Sequence, residues 1–265
     1  MLDFFTPLFV VMKREYLHYR IRYFILFILI SQGLFTSGQA KPEYTEVWYP
    51  EPRVVNPGNV NQPPSDAYIL FDGTSMDEWI IPEGTVWVVQ NGMITITPSD
   101  EKKLEPVRIS TRKSFGDFQL HIEWKTPEEV SGEGQRRGNS GILIHGRYEI
   151  QVLDNFENRT YVNGQAGSVY KQFPPLVNAC KKPGEWQSFD IVFTAPEFDR
   201  DGELIKPAMV TVLHNGILVQ HAVTLKGSIR FIGMPEYEPH PHRLPLSLQD
   251  HGNAVSYRNI WIREL

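Results

Sequence analysis

Residues 138–154, GNSGILIHGRYEIQVLD, combine residue types that can do chemistry with a spacing that gathers them. Arg147, Glu149 and Gln151 take alternate positions, and Tyr148, Ile150 and Val152 fill the places between. Side chains alternate across a strand with a period of two. This order therefore predicts a strand whose apolar face enters a core while a cation, a carboxylate and an amide face a cleft. A carboxylate in a partly dry cleft gains proton affinity and becomes useful as a base or a metal ligand near neutral pH. Glu149 is the leading candidate for that role, against a structural ion pair with Arg147 or Arg258. Gln151 is placed to hold a hydroxyl through its amide. Asp154, at the strand end, reads equally as a turn residue or a site residue. Gly138-Asn139-Ser140-Gly141 and Gly146 mark places where backbone can bend or approach a ligand closely.

Histidine supplies the second kind of chemistry. His251 lies in Gln249-Asp250-His251-Gly252-Asn253, a turn-like loop after a strand. Its ring changes charge near physiological pH and suits proton transfer or metal binding. The plainer alternative is that Asp250 and Asn253 shape the turn and His251 caps it. His145 is a further candidate base, equally readable as a buried structural histidine. Glu123 and His121 share a face with Gln119 and could join the same trough. His214 sits at a hairpin turn, which predicts a surface position, and His240-Pro241-His242 is given no role.

These residues need a scaffold of strands. Val86–Ile96 carries Asn91-Gly92 between two β-rich arms, and Val210–Val219 repeats the device with Asn215-Gly216, the strongest short hairpin signal. Phe118–Lys125 alternates apolar and polar residues, Ser188–Thr194 and Ser256–Ile262 read as further strands, and long amphipathic helices are missing. Many short antiparallel strands predict an all-β sandwich or jelly roll of two packed sheets, whose concave sheet is a natural trough for sugars. The 265-residue chain has a net charge of -5 and no basic patch, which argues against nucleic acid. Its one cysteine, Cys180, cannot form an intrachain disulfide. Residues 1–40 read as a secretory signal peptide: a basic stretch from Lys13 to Arg22, an apolar run over 23–30, then small residues ending at Ala40. Translation could start at Met12. The apolar run is short for a membrane span, so no stable anchor is expected, and the product would be periplasmic or secreted. Residues 41–66, rich in proline, read as an extended strap, and 67–265 as the folded domain.

Several segments together resemble one family, long known only as a domain of unknown function. It is now described as the 3-keto-disaccharide hydrolase, or 3-keto-glucoside 1,2-lyase/3-keto-2-hydroxyglucal hydratase, domain. Leu70-Phe71-Asp72-Gly73-Thr74-Ser75-Met76-Asp77-Glu78-Trp79 is similar to its opening motif and GNSGILIHGRYEIQVLD to its central signature. Pro174–Ala179 and Gly184–Ile191 fit its middle, and Leu248–Asn253 with Tyr257–Ile262 its C-terminal signature. The likeness runs roughly from 66 to 265. It implies a concanavalin-like jelly roll of two antiparallel sheets, secretion, a 3-keto-sugar substrate, and a partner glycoside 3-oxidoreductase that makes the ketone. A ketone at C3 of a hexose acidifies the proton at C2; a base removes it, the enolate expels the C1 substituent, and water later adds to the enone. Such a site needs a base of near-neutral pKa and a group that stabilises enolate charge, and could use a divalent cation. Glu149, His251 and His145 are the candidate catalytic residues, with Glu149 and His251 the candidates for any metal. Asn139, Arg147, Gln151, Tyr170, Trp186, Gln249, Asp250, Asn253 and Arg258 are the candidates for binding sugar, Tyr170 and Trp186 by stacking unless they are core aromatics. Two other classes stay open. A retaining glycosidase would use the Glu149, Gln151, Asp154 spacing, but its middle acid is here an amide. A carbohydrate-binding module would need no base at all.

Overall fold

The computed structural model describes residues 40–59, 62–83, 85–97 and 107–265. The expected leader, apart from Ala40, lies outside them. Contacts divide the chain at Val54–Val55 into two units. In the described part of the first, Pro42–Tyr44 forms one 3-10 turn. Among the described residues no helix is long and apolar enough to cross a membrane.

The regular structure of the second unit is almost entirely strand. In chain order these are β1 (Tyr68–Phe71), β2 (Trp79–Ile80), β3 (Val86–Gln90), β4 (Met93–Thr97), β5 (Val107–Phe115), β6 (Phe118–Lys125), β7 (Ser140–Ile144) and β8 (Tyr148–Val152). They continue with β9 (Gln187–Thr194), β10 (Glu197–Phe198), β11 (Leu204–Lys206), β12 (Met209–His214), β13 (Ile217–Thr224), β14 (Leu244–Asp250) and β15 (Ser256–Glu264). One sheet has eight strands in the order β13-β12-β9-β6-β15-β4-β3, with β1 also on β15. A second has five, β2-β5-β14-β7-β8, β10 and β11 form a small ribbon of their own, and every pairing is antiparallel. The molecule is the two-sheet jelly roll that the strand pattern predicts.

Alternation along each strand builds the core. Phe118, Leu120, Ile122 and Trp124 of β6 are fully buried, as are Ile150 and Val152 of β8 and Leu246 and Leu248 of β14. Burying one such side chain stabilises the fold by roughly 1.5–3 kcal/mol. The hairpin tips fall where Asn-Gly places them: Gln90 pairs with Met93 around Asn91-Gly92, and His214 with Ile217 around Asn215-Gly216. Asn91 and Asn215 both have φ 53, with φ 71 and φ 77 at the glycines, the left-handed geometry that a primed turn requires.

His214 overturns one expectation. It ends β12 pointing inward, fully buried against Phe189 (4.7 Å between centroids) and Trp124 (5.5 Å), with Nε2 2.8 Å from Gln187 Oε1. Burial pulls its pKa down to about 3, so the ring is neutral. Proximity to a turn in sequence does not decide which face of the sheet a residue takes; the pleat does.

Candidate active site

Strand pairing carries Glu149 into a polar row on the outer face of the five-stranded sheet. Glu149 lies opposite Leu143 and Gln151 opposite Gly141. The β14–β7 register, with Ser247 opposite Leu143, puts Gln249 beside Gly141, and Gln249 is itself opposite Arg108 on β5. Arg108, Gln249, Gly141 and Gln151 thus share one face with Glu149, while Tyr148, Ile150 and Val152 fill the core behind them. Gly141 is required by space. A Cβ there would collide with Glu149 Oε1, so the carboxyl lies over the glycine and points along the row. Arg108 reaches toward it, its Nη1 donating to the carbonyl of Gly146 at 3.2 Å.

Glu149 is only 4% exposed, and among the described residues its carboxyl has no hydrogen-bond partner. Desolvation pushes its pKa up to about 8, and the nearby Arg108 charge opposes that rise. Arg147 and Arg258, the two partners weighed for it, are engaged elsewhere. Arg147, in the turn just before β8, pairs with Glu238 at 2.8 Å. The free acceptors beside Glu149 are amide oxygens. Gln151 Nε2 donates to Asn139 Oδ1 (2.9 Å), and Asn139 Nδ2 donates to the Gln135 carbonyl (2.7 Å), leaving Gln151 Oε1 buried without a partner. Gln249 Oε1 is likewise buried and unpartnered. Buried acceptors of this kind call for a donor, and a sugar hydroxyl supplies one. Tyr170 closes the row: its backbone N–H donates to the Glu149 carbonyl, and its phenol lies 2.7 Å from that of Tyr161. Burial raises both phenol pKa values and the Glu149 charge adds to the rise, so both stay protonated.

The remaining candidates are divided by the fold. His251 is exposed at the end of β14, two residues beyond Gln249, and no ring contact ties it to Glu149. Asp250 accepts from Gly252 N (2.8 Å) and Asn253 Oδ1 from Gly138 N (2.9 Å), which shapes the turn and binds it to the start of β7. Asp154 is held by Arg137 at 2.6 Å and by Phe156 N at 3.0 Å. His145 belongs to a different neighbourhood. It occupies the β7–β8 turn with φ 56, its Nε2 donates to the Phe115 carbonyl (2.8 Å), and its ring sits edge-on to Phe193 and His240. Burial drives its pKa down to about 4, and its packing is toward the core side, away from Glu149. Arg258 and Trp186 fall on the eight-stranded sheet. Arg258 stacks 4.1 Å from the Trp186 ring centre and donates to Glu123 Oε2 at 2.6 Å. His121, expected to share the trough, also faces outward there, 2.7 Å from Asp190. His121, Asp190 and Arg258 line an opposite surface because they come from β6, β9 and β15, and Trp186 joins them from just before β9.

Arg108, Tyr161 and Gln135 were not singled out from the sequence, and no motif around them carried a signal; Gly141 was marked there as a place of close approach. A metal finds little to bind: among the described residues no three His, Cys, Asp or Glu side chains converge. Around Glu149 the donors are one reluctantly ionised carboxyl and two amides beside a guanidinium, a poor match for a hard cation.

Fold and polar row together define a class: a jelly-roll protein with a desolvated carboxyl and unpartnered amide oxygens on the outer face of its five-stranded sheet. A profile of the 3-keto-alpha-glucoside-1,2-lyase-like domain matches residues 66–263, and the chain belongs to that family. It is 23% identical over 240 residues to a 3-keto-disaccharide hydrolase of Bacteroides thetaiotaomicron, covering 76% of this chain and 79% of that one. A crystal structure of a proposed glycosyl hydrolase from Parabacteroides distasonis superposes with a TM-score of 0.78 at 45% identity, covering 85% of this chain and 97% of the other. A second such structure from the same organism, 22% identical, gives 0.55 over 75% and 94%, and supports the fold alone.

Proposed function

We propose that this chain cleaves 3-keto-glycosides, with Glu149 as the base that removes the C2 proton. One observation carries the reading: a buried, unpartnered carboxyl at about 8 on the polar sheet face. A base is most effective when its pKa lies near the working pH. The electron pair from C2–H moves onto the C3 ketone oxygen, and the Arg108 guanidinium stabilises that developing charge. The pair then returns to expel the C1 oxygen, breaking the glycosidic bond and leaving a 2-hydroxy enone. The protonated Tyr161–Tyr170 pair supplies the leaving oxygen's proton and recovers it from the water that adds at C1. The proton held by Glu149 goes back to C2, so the net reaction is hydrolysis. Gln151 and Gln249 accept from ring hydroxyls and fix the sugar over the base.

His251, exposed at the end of β14, is the alternative donor to the leaving group. Comparing Tyr170→Phe with His251→Asn separates the two, since only the true donor's loss lowers kcat by about 10²–10⁴-fold. A retaining glycosidase is disfavoured because Asp154 is consumed by Arg137 and Gln151 carries no charge. A binding module has no use for a carboxyl kept unpaired at such expense. The substrate's ketone must come from an enzyme that oxidises a glycoside at C3. We also infer, from the basic, apolar and small-residue order of 13–40, that the chain is exported and matures near Lys41.

The decisive experiment incubates the protein with a 3-keto-glucoside beside its unoxidised parent. Release of aglycone from the keto form alone, abolished in Glu149→Gln, is the expected result. Release from the parent, or near-normal turnover in the variant, would refute the reading.

A further inference from the structure

The loop 229–236 between β13 and β14 exposes an apolar tip. Phe231, Ile232 and Met234 are 71%, 84% and 74% exposed, three large apolar side chains within four residues. Single exposed apolar residues are ordinary, but a contiguous group marks a surface that meets something. The loop is anchored rather than loose. Ser228 N donates to the Glu236 carbonyl at 2.8 Å, and Ile229 N to the carbonyl of Arg147 at 2.6 Å, two residues before Glu149. Phe231 is also oriented. Lys171 Nζ sits 4.8 Å from the Phe231 ring centre and 5.0 Å from that of Tyr161, so one cation holds both rings. Tyr161 in turn meets Tyr170, and both phenols feel the Glu149 charge. A series of contacts therefore runs from Tyr170, whose backbone N–H donates to the Glu149 carbonyl, through Tyr161 and Lys171 to the apolar tip.

We propose that this tip is the aglycone side of the site and selects a flat, apolar aglycone, an aryl group rather than a second sugar. The proposal rests on the reaction assigned above and names the substrate class within it. A sugar in that position would need hydrogen-bonding partners for its hydroxyls. Phe231, Ile232 and Met234 have none to offer, whereas an aromatic aglycone covers them and removes their apolar surface from water. The sugar half keeps its polar partners in Gln151 and Gln249, so the two halves of the substrate meet surfaces of opposite character.

The test pairs turnover with binding. Turnover of a phenyl 3-keto-glucoside and a 3-keto-disaccharide is compared in the wild type and in the triple variant Phe231→Ser, Ile232→Ser, Met234→Ser, with thermal melting as the folding control. Binding of phenyl glucoside and of the parent disaccharide is measured on both proteins by calorimetry, which needs no chemistry. The wild type should favour the phenyl compound in kcat/KM and in Kd, and the triple variant should lose about tenfold or more of that preference, the scale of a small change in an apolar pocket. Equal handling of the two ligands by the wild type would overturn the proposal. So would an equal fall for both in the variant, which would make the loop a cover rather than a selector. If neither keto compound turns over, the assigned reaction fails, and the calorimetric preference still decides the loop.

Discussion

Replacing Glu149 with glutamine should make the protein more stable and inactive, and the stability gain should grow with pH. An isolated carboxyl near 4.5 is pushed to about 8 here by loss of water. The folded state therefore holds a proton that the unfolded chain has released between those two values. Stability of the wild type falls as pH rises through that window and is constant above it, since the unfolded state binds fewer protons. The cost of keeping Glu149 buried works out at about 3 kcal/mol at pH 7 and about 5 kcal/mol at pH 9. A glutamine at the same place does not titrate, but its amide adds an unpaired donor that offsets about 1–3 kcal/mol at every pH. The diagnostic quantity is thus the slope and not the level. Urea unfolding of both proteins from pH 5 to pH 9 should show curves that diverge up to pH 8 and then run parallel. On the same enzyme, kcat/KM should rise about tenfold per pH unit up to about 8 and level off, as deprotonation arms the base. Parallel stability curves across the whole range would mean that Glu149 is hydrated and that the proposed base is ordinary.

Arg108→Met should lower kcat/KM by about 10²–10³-fold, as loss of a single oxyanion-stabilising group does. It should also move the activity plateau to higher pH, because the Arg108 charge now restrains the Glu149 pKa; an unmoved plateau would separate the two residues. Gly141→Ala should collide with Glu149 Oε1 and cost about 1–3 kcal/mol in urea unfolding, with activity lost because the carboxyl is displaced. Wild-type kinetics in that variant would contradict the packing. Arg137→Ala strands the buried Asp154 carboxyl, so a loss of about 3–5 kcal/mol is expected from the urea midpoint, and a neutral result would show that the pair is dispensable.

Much of the scaffold was legible because it rests on local rules. Asn-Gly between two β-rich arms accepts the positive φ of a primed turn, as at Asn91 and Asn215, and the alternation of Phe118 to Lys125 has one face that only a core can take. Strand β8 was legible for the same reason. Its neighbours were not. Arg108 sits in Val107-Arg108-Ile109-Ser110 with no motif around it, and it meets Glu149 only because β5, β14, β7 and β8 lie side by side. Sheet order is a property of the closed sandwich, and no spacing along the chain encodes it. The same blindness misplaced Arg258 and Trp186, which belong to segments carrying the family likeness yet line the other sheet. Motifs of a family mark its folding requirements as well as its chemistry, and only the sheet assignment separates them.

Two glutamates make that separation concrete. Glu123 projects from β6, inside the larger sheet, and Glu149 from β8, at the end of the strand order of the other, each onto an outer face; the sequence favours Glu149 only by its place in the central signature. Burial raises both. At Glu123 the rise is overcome by the His121 ring 3.8 Å away and by hydrogen bonds from Asn259 and Arg258, which bring its pKa down to about 2. In the same cluster His121, which burial alone would lower, is carried up to about 9 by Asp190 and Glu123. A carboxylate so satisfied cannot take a proton near neutral pH. Glu149 has a neighbouring charge but no hydrogen bond, so its basicity remains available to a ligand. The absence of partners costs stability, and the same absence gives the carboxyl its chemistry. In the proposed reaction the ion-paired Glu123 is therefore architecture, and the buried Glu149 on β8 is where a substrate proton would go.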